Sequence, residues 1–325
     1  MKTRVAVVYG GRSGEHEISL RSAESVIAAL DPSVYEVKPF LVAKNGKWQP
    51  GPILPEPGSN AGIDIVFPVL HGTFGEDGTL QGLLEMADLP YVGPGVMGSA
   101  CAMDKEMTKR ILTASGIPVG EFVVQFRDSL NAEACEESLP YPMFVKPANL
   151  GSSVGISKAR NRAELEQALE TAAQYDSKIL IERGIIGREF ECAVLGNEDR
   201  KASMPCEIRP KREFYDYEAK YLEDSTEIDL PARLEPEKID EMQKLAIATC
   251  QALQLEGMTR VDFLMEASSG RLYVNEPNTI PGFTSISMYP KMWEYSGVPY
   301  PQLLSRLIEL GLERHRRKQA TRYER

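Results

Sequence analysis

Two short stretches in the last quarter of the chain put hard oxygen donors and a guanidinium at strand spacing. They are Arg260-Val261-Asp262 and, a turn later, Asn275-Glu276-Pro277-Asn278. Alternate residues of a β-strand project to one face. Arg260 and Asp262 therefore leave one strand together, and Glu276 and Asn278 leave the next segment together. If the two segments pair, three oxygen ligands and one cation meet on a single patch. Asp, Glu and Asn oxygens are what magnesium takes, with phosphate oxygens and water completing its octahedron. An arginine beside them suits a site that also receives phosphoryl oxygens. The competing reading is a surface salt-bridge cluster on a hairpin. Against it, Glu276-Pro277-Asn278 runs into Thr279-Ile280-Pro281-Gly282, which reads as a turn and not as regular strand.

Three glycine-rich segments could meet a phosphate or another small anion. Phe144-Val145-Lys146-Pro147 leads into Gly151-Ser152-Ser153-Val154-Gly155. A lysine at a strand end followed by a loop with free backbone N–H groups can cradle and cover phosphates, although most such segments are only turns. The chain lacks the GxxxxGK[ST] phosphate loop. His71-Gly72-Thr73-Phe74-Gly75-Glu76-Asp77-Gly78 follows a strand-like run, Ile63–Pro68. The carboxyl end of a parallel strand is where α/β sheets place ligands. The alternative is a helix-entry loop with Asp77 near the helix start and His71 in a structural role. Gly10-Gly11-Arg12-Ser13-Gly14-Glu15-His16-Glu17 also lies between strand and helix; without GxGxxG spacing it is no dinucleotide loop, and its glutamates could simply face the helix dipole.

The elements that must carry these segments are legible in outline. Arg4–Tyr9 is a short apolar run of the kind buried in parallel sheets. Ser19 to Leu30 carries Leu20, Ala23, Val26, Ile27 and Leu30 at helical spacing, and Tyr35–Val42 and Ile63–Pro68 are strand-like. This alternation predicts a small parallel sheet with helices on both faces. Pro50 to Gly62 reads as a loop. A helix follows Met103-Asp104-Lys105 to about Ser115. Strands are expected at Phe122–Phe126, Met143–Pro147 and Lys178–Glu182, with a polar helix at Arg162–Ala173: a second, α+β unit. Beyond Glu189 come further strands, a polar loop at about Arg209 to Glu227, a helix near Glu237–Leu253, and paired strands at Met258–Glu266 and Arg271–Glu276. The expected division is 1–104, 105–188 and 189–325, the last with a basic end (six Lys/Arg against two Glu from Glu313) that reads as a solvated helix terminus.

Taken in order over residues 1–312, these segments resemble the D-alanine–D-alanine ligase family. HGTFGEDGTLQG is similar to the family's first signature, and RVDF with VNEPNTIPGFTSISM to its second. GGRSGEHEISL, MDK, VKPANLGSSVG, IERGIIGREF and YDYEAKY match around and between them. The resemblance implies an ATP-grasp fold of three domains, α/β and α+β, with an N-terminal parallel-sheet domain and ATP held between the central and C-terminal parts. It implies ATP as co-substrate and two magnesium ions (manganese being possible) held by Asp262, Glu276 and Asn278, with Glu276 bridging. Lys105 and Lys146 would contact ATP phosphates, with Ser152 and Ser153 in the closing loop. Glu182 and Glu189 would take the adenine amino group and the ribose. Glu17 would receive the ammonium of the first D-alanine; Lys220 and Ser287, beside Met288, the carboxylate of the second; and His71 would border the substrates. Arg260 and the Gly282 N–H would form the oxyanion site, and Tyr221 would link Glu17 and Ser152 in a lid. The implied product is D-alanyl-D-alanine for peptidoglycan. The sister activity, D-alanine–D-lactate ligation, is disfavoured by Tyr221, and a non-catalytic ATP-binding relative by the intact ligand set.

Composition bounds the remaining classes. A chain of 325 residues is long for one core and suggests two or three domains. A formal charge of −10 argues against a nucleic-acid partner. Five scattered cysteines without a CxxC pair read as reduced thiols. No run approaches the ~20 apolar residues of a membrane span, so a cytoplasmic protein is expected, and the family suggests a homodimer. A nicotinamide-dependent oxidoreductase is disfavoured by the missing GxGxxG.

Overall fold

An apolar run without alternation must be covered on both faces, and β1 (Thr3–Gly10) is: Val5, Ala6, Val7 and Val8 are fully buried. The computed structural model describes residues 2–152, 154–209 and 227–322. From β1 the chain returns through α1 (His16–Ala29) to β2 (Tyr35–Val42), parallel to β1. It adds a short antiparallel edge, β3 (Trp48–Gln49), and then β4 (Ile65–Pro68) on the other side of β1, giving the order β3-β2-β1-β4. Helix α1 starts three residues before the expected Ser19, and its inner face is partly polar, with Ser19 and Ser22 fully buried. The Ser19 hydroxyl accepts from the Gly10 N–H at 2.8 Å and donates to the Val69 carbonyl at 2.6 Å. Helical spacing of apolar residues alone cannot announce such a face.

After α2 (Thr79–Met86), α3 (Val96–Met103) and α4 (Lys105–Ala114) comes a second sheet. It contains β5 (Phe122–Phe126), β6 (Met143–Pro147), β7 (Ser157–Ala159) and β8 (Lys178–Arg183), all antiparallel in the order β5-β8-β6-β7. Helices α5 (Ala132–Ser138) and α6 (Arg162–Ala173) cover one face, packing against Met143, Val145, Ile179 and Ile181. The third sheet takes β9 (Gly187–Gly196), β10 (Lys201–Ala202), β11 (Cys206–Arg209), β12 (Glu227–Asp229), β13 (Gly257–Glu266) and β14 (Leu272–Asn278). Its order is β12-β11-β9-β13-β14, with β10 paired to β9. Helix α7 (Pro236–Ala252) closes its apolar face through Met242, Ala246 and Cys250 against Phe190, Val261 and Phe263.

Two features differ from the sequence expectation. The strand expected to end at Glu276 runs on through Pro277 to Asn278 as β14. Proline gives no ladder N–H, but β14 ends the sheet order and so tolerates Pro277. The C-terminal basic stretch is exposed over 316–322, as a solvated helix end would be, but the helix that carries it is rooted in the core and its Arg314 is engaged. Helices α8 (Met288–Tyr295) and α9 (Tyr300–Gln319) send Tyr289, Leu303, Leu304 and Leu307 into the same core as Val5 and Phe67 of the first sheet. The Arg314 guanidinium lies 4.1 Å over the Tyr91 ring and donates to the Tyr91 carbonyl at 3.0 Å. The last helix therefore stitches the first sheet to the third.

Candidate active site

Strand register decides which side chains meet. In the antiparallel pair β13–β14, Arg260 stands opposite Asn278 and Asp262 opposite Glu276. Directly opposed residues share a face, so all four project together. A bulge between Asp262 and Phe263 places Asn275 as the extra residue and brings the chain back into step. On the other side of β13, Asp262 stands opposite Glu191 and Leu264 opposite Glu189, which adds two carboxylates to the same face. The opposite face of these strands is the apolar one under α7.

Three carboxylates, Glu191, Asp262 and Glu276, thus lie in a row across three strands. Like charges in such positions repel and call for cations. Arg260 answers first: its Nε and Nη2 each reach an Asp262 oxygen at 2.7 Å, and Nε lies 3.4 Å from Glu191. Asn278 donates to Asp262 at 3.0 Å, and the Lys105 ammonium sits 3.7 Å from Glu276. Among the described residues no three His, Cys, Asp or Glu side chains converge as a protein-only metal cage. Two carboxylates and an amide therefore suit a cation that takes its remaining oxygens from a ligand and water, as magnesium does.

Facing this surface is the uncovered side of the second sheet. Lys146 of β6 and Glu182 of β8 project from it, and Lys109 of α4, one turn beyond Lys105, joins them. Both lysines form ion pairs with Glu182, and all three groups line one cleft together with Glu189, Asp262 and Glu276. Burial alone would raise the Glu182 carboxyl, but Lys109 and Lys146 overcome it and hold the group at about 2. Burial likewise works against the Lys146 ammonium; Glu182 and then Glu276 outweigh it, leaving its pKa above the ordinary lysine value. The Lys105 ammonium donates to the Leu150 carbonyl at 2.6 Å, at the base of the glycine loop.

The cleft continues toward the first sheet, where Glu15, His71, Glu76, Ser152, Gly282 and Ser287 line it. Ser152, held at φ +52°, donates a short hydrogen bond to Glu15. Gly72, at φ +73°, lies against the same carboxylate: a Cβ there would come 2.6 Å from Glu15 Oε2. At Gly282 a Cβ would stand 2.6 Å from the Ser287 hydroxyl, which would have to turn away. That hydroxyl accepts from the Thr284 N–H at 3.0 Å, and Met288 opens α8, whose first-turn amides carry no side-chain cap.

Two expectations are corrected here. Glu17 does not enter the cleft: its side chain is 59% exposed and pairs with Lys44 at 2.8 Å. Two residues at a helix start point to nearly opposite sides, and it is Glu15 that faces inward. His71 borders the cleft, yet both ring nitrogens are engaged within the protein, Nδ1 with the Ile280 carbonyl at 3.0 Å and Nε2 with the Ser22 hydroxyl at 3.1 Å. A carbonyl only accepts, so Nδ1 carries the proton and Nε2 receives one from Ser22. Burial pushes the imidazole pKa down, consistent with that neutral form. Neither nitrogen is left for a substrate. Glu76 also enters the site unannounced, its carboxyl pushed up to about 8 by burial and then by Glu15, against the N–H groups of Gly72 and Ile280 that bond it.

Arg260, Asp262, Glu276, Asn278, Lys105, Lys146, Glu182, Glu189, Ser152, Gly282, Ser287 and Met288 all border this continuous cleft. Ser153, Lys220 and Tyr221 lie outside the described residues. Lys109, Glu15, Glu76 and Glu191 were missed as site residues. Strand alternation from Glu189 would have found Glu191, and one helical turn from Lys105 would have found Lys109.

Comparison with known proteins bears on the same residues. Residues 111–309 match the family model described as D-ala D-ala ligase C-terminus, and residues 4–61 and 54–94 match that of the D-ala D-ala ligase N-terminus. The D-alanine–D-alanine ligase of Solibacter usitatus is 62% identical over 326 residues, covering 100% of both chains. The D-alanine-D-alanine ligase structure from Coxiella burnetii superposes with a TM-score of 0.87 at 37% identity, covering 98% of this chain and 96% of that one. The VanG D-Ala:D-Ser ligase of Enterococcus faecalis gives 0.87 at 35% identity, covering 96% and 100%.

Proposed function

From the premise that this chain belongs to the D-alanine–D-alanine ligase family, whose fold is the ATP-grasp, we propose how its residues divide the work of joining two D-alanines. The activity is ATP-dependent ligation of D-alanine to D-alanine, a step in cell-wall precursor synthesis. The observation that carries the assignment of roles is the shared face of Arg260, Asp262, Glu276 and Asn278, set against the lysines of the second sheet.

ATP lies between the second and third sheets, with Glu182 and Glu189 toward its adenosine and Lys105 and Lys146 toward its phosphates. Asp262, Glu276 and Asn278 would hold magnesium, which would supply neutralisation of the charge that spreads over the transferring phosphoryl group. Glu15, in place of Glu17, accepts the ammonium of the first D-alanine and aims its carboxylate at the γ-phosphorus. A carboxylate oxygen forms the new P–O bond, ADP leaves, and an acyl phosphate results. The second D-alanine, its carboxylate toward Ser287 and the amides that open α8, attacks the acyl carbon through its amine. The oxyanion that develops meets Arg260 and the Gly282 N–H; collapse expels phosphate and the nitrogen loses its proton. Water would hydrolyse the acyl phosphate, so the cleft must close. The Ser152–Glu15 contact already draws the glycine loop onto the first sheet.

The same reading divides the chain at about 104 and 188 and makes the protein a cytoplasmic homodimer. No helix among the described residues is long and apolar enough to cross a membrane. The test is phosphate release and dipeptide formation with ATP, magnesium and D-alanine, with L-alanine and D-lactate as comparison substrates. Dipeptide from D-alanine alone is expected. Preference for D-lactate would remove Tyr221 from its role, and absence of magnesium dependence would remove Asp262, Glu276 and Asn278 from theirs.

A further inference from the structure

Ile280 stands two residues before Gly282 in the segment that leaves β14, and side chains from the first-sheet unit grip its backbone from both sides. Its N–H donates to Glu76 Oε1 at 3.0 Å, and its carbonyl accepts from His71 Nδ1 at 3.0 Å. Three residues on, the Phe283 N–H donates to the Ser22 hydroxyl at 3.3 Å, and that hydroxyl donates to His71 Nε2 at 3.1 Å. The second oxygen of Glu76 accepts from the Gly72 N–H at 2.6 Å. Gly282 lies between these two fixed points.

Packing alone does not call for this arrangement. Phe283 is fully buried against Phe67, Tyr289 and Tyr300, which already fastens the segment to the core. A carboxylate buried close to a second one opposes stability, as its pKa of about 8 reports. Such a group is expected where its geometry serves the site. Two backbone N–H groups converge on one side chain here, and its two oxygens offer an acceptor to each, whereas an amide would turn its NH2 toward one of them.

We propose that Glu76 and His71, with Ser22 behind them, are positioning residues that clamp residues 280–283 so that the Gly282 N–H stays in register with Arg260 for the bond-forming step. This rests on the oxyanion role proposed above for Gly282 and Arg260. The clamp acts after acyl phosphate formation. Loosening it slows attack by the second amine more than it slows phosphoryl transfer, and water then takes a share of the intermediate.

The experiment compares Glu76→Ala, Glu76→Gln, His71→Ala and His71→Asn with the wild type. It measures dipeptide formed, phosphate released, KM for ATP and the melting temperature. The asparagine amide places a donor near the position of Nδ1, so His71→Asn restores the bond to the Ile280 carbonyl that His71→Ala removes. Expected are a fall in dipeptide turnover of ~10–10²-fold for both alanine variants, the scale of an ångström-level misplacement, and an unchanged KM for ATP. More than one phosphate should be released per dipeptide, with substantial recovery in His71→Asn and an intermediate effect in Glu76→Gln. A ratio that stays at one, with turnover falling only in step with the folded fraction, overturns the clamp; so does His71→Asn behaving like His71→Ala. Should Glu76→Ala not fold, Glu76→Gln and the two His71 variants decide by the same ratio. A wild-type protein that makes no dipeptide would sink the ligase roles themselves, while an active wild type with unaltered variants would sink the clamp alone.

Discussion

On the side of the cleft lined by Lys109, Lys146 and Glu182, the charges come from a helix and strands of the second sheet that face the third. There a carboxylate is outnumbered by ammonium groups and is held at about 2. On the side lined by Glu15, Glu76 and His71, the groups come from loop ends of the first sheet meeting the segment after β14. There two carboxylates lie close together, no lysine pairs with Glu76 among the described residues, and its carboxyl is pushed up to about 8. The first arrangement is prepared for a polyanion, which brings negative charge to surplus cations. The second suits an ammonium at Glu15 and a neutral peptide loop at Glu76. One cleft thus holds two opposite electrostatic environments, separated by the row Glu191, Asp262 and Glu276.

That contrast can be broken at the boundary first. Glu276→Gln removes the carboxylate common to both sides and should lower turnover by more than ~10³-fold while shifting the magnesium requirement upward, because the charge-neutralising ligand is lost. Initial rates over a magnesium titration check this, and an unchanged magnesium profile would separate Glu276 from metal binding. Arg260→Ala comes next, with a fall of ~10²–10³-fold in turnover, the usual cost of deleting one oxyanion donor; a near wild-type rate would take Arg260 out of the mechanism.

A sharper comparison sets Glu15→Gln against Glu17→Gln. The first should reduce kcat/KM for D-alanine by ~10–10²-fold, since a charge-assisted bond to the ammonium is replaced by a neutral one. The second, with its side chain 59% exposed, should remain within ~2-fold of wild type, as surface changes usually do. Steady-state kinetics in D-alanine decide it, and the reverse ranking would restore Glu17.

The smallest effects concern stability and have opposite signs on the two sides. The Glu182 pKa falls on folding from 4.5 to about 2. Its contribution is therefore fully present above the unfolded value and is lost as pH drops through that window. The Glu76 pKa rises from 4.5 to about 8, so the native state binds the extra proton and stability declines as pH rises between those values. Denaturant unfolding across pH should show Lys109→Met flattening the acid limb and Glu76→Gln flattening the neutral one. Parallel profiles for both variants would erase the electrostatic contrast.

Much of the fold was legible because apolar runs and their breaks are local. The bounds at Tyr35–Val42, Phe122–Phe126, Met143–Pro147 and Arg162–Ala173 match the sequence reading. Helices α8 and α9 were not read as part of any core, since what they cover is the first sheet, nearly the whole chain away. The metal-type face was legible for the same local reason: alternation puts Arg260 with Asp262 and Glu276 with Asn278, and only the pairing of two neighbouring strands had to be supposed.

By itself the sequence determined residue types, their alternation, the motif order and hence the family and its chemistry. It could not choose between Glu15 and Glu17, which differ only in the direction each takes at the start of α1. Nor could it show that His71 spends both ring nitrogens on Ser22 and the Ile280 carbonyl, or that Glu76 accepts from the amides of Ile280, 204 residues away, and Gly72, 4 residues away.

 Those choices belong to the tertiary structure. Hydrogen-bond direction and charge balance depend on which distant groups a side chain faces, and that is settled only when the three sheets close on one another.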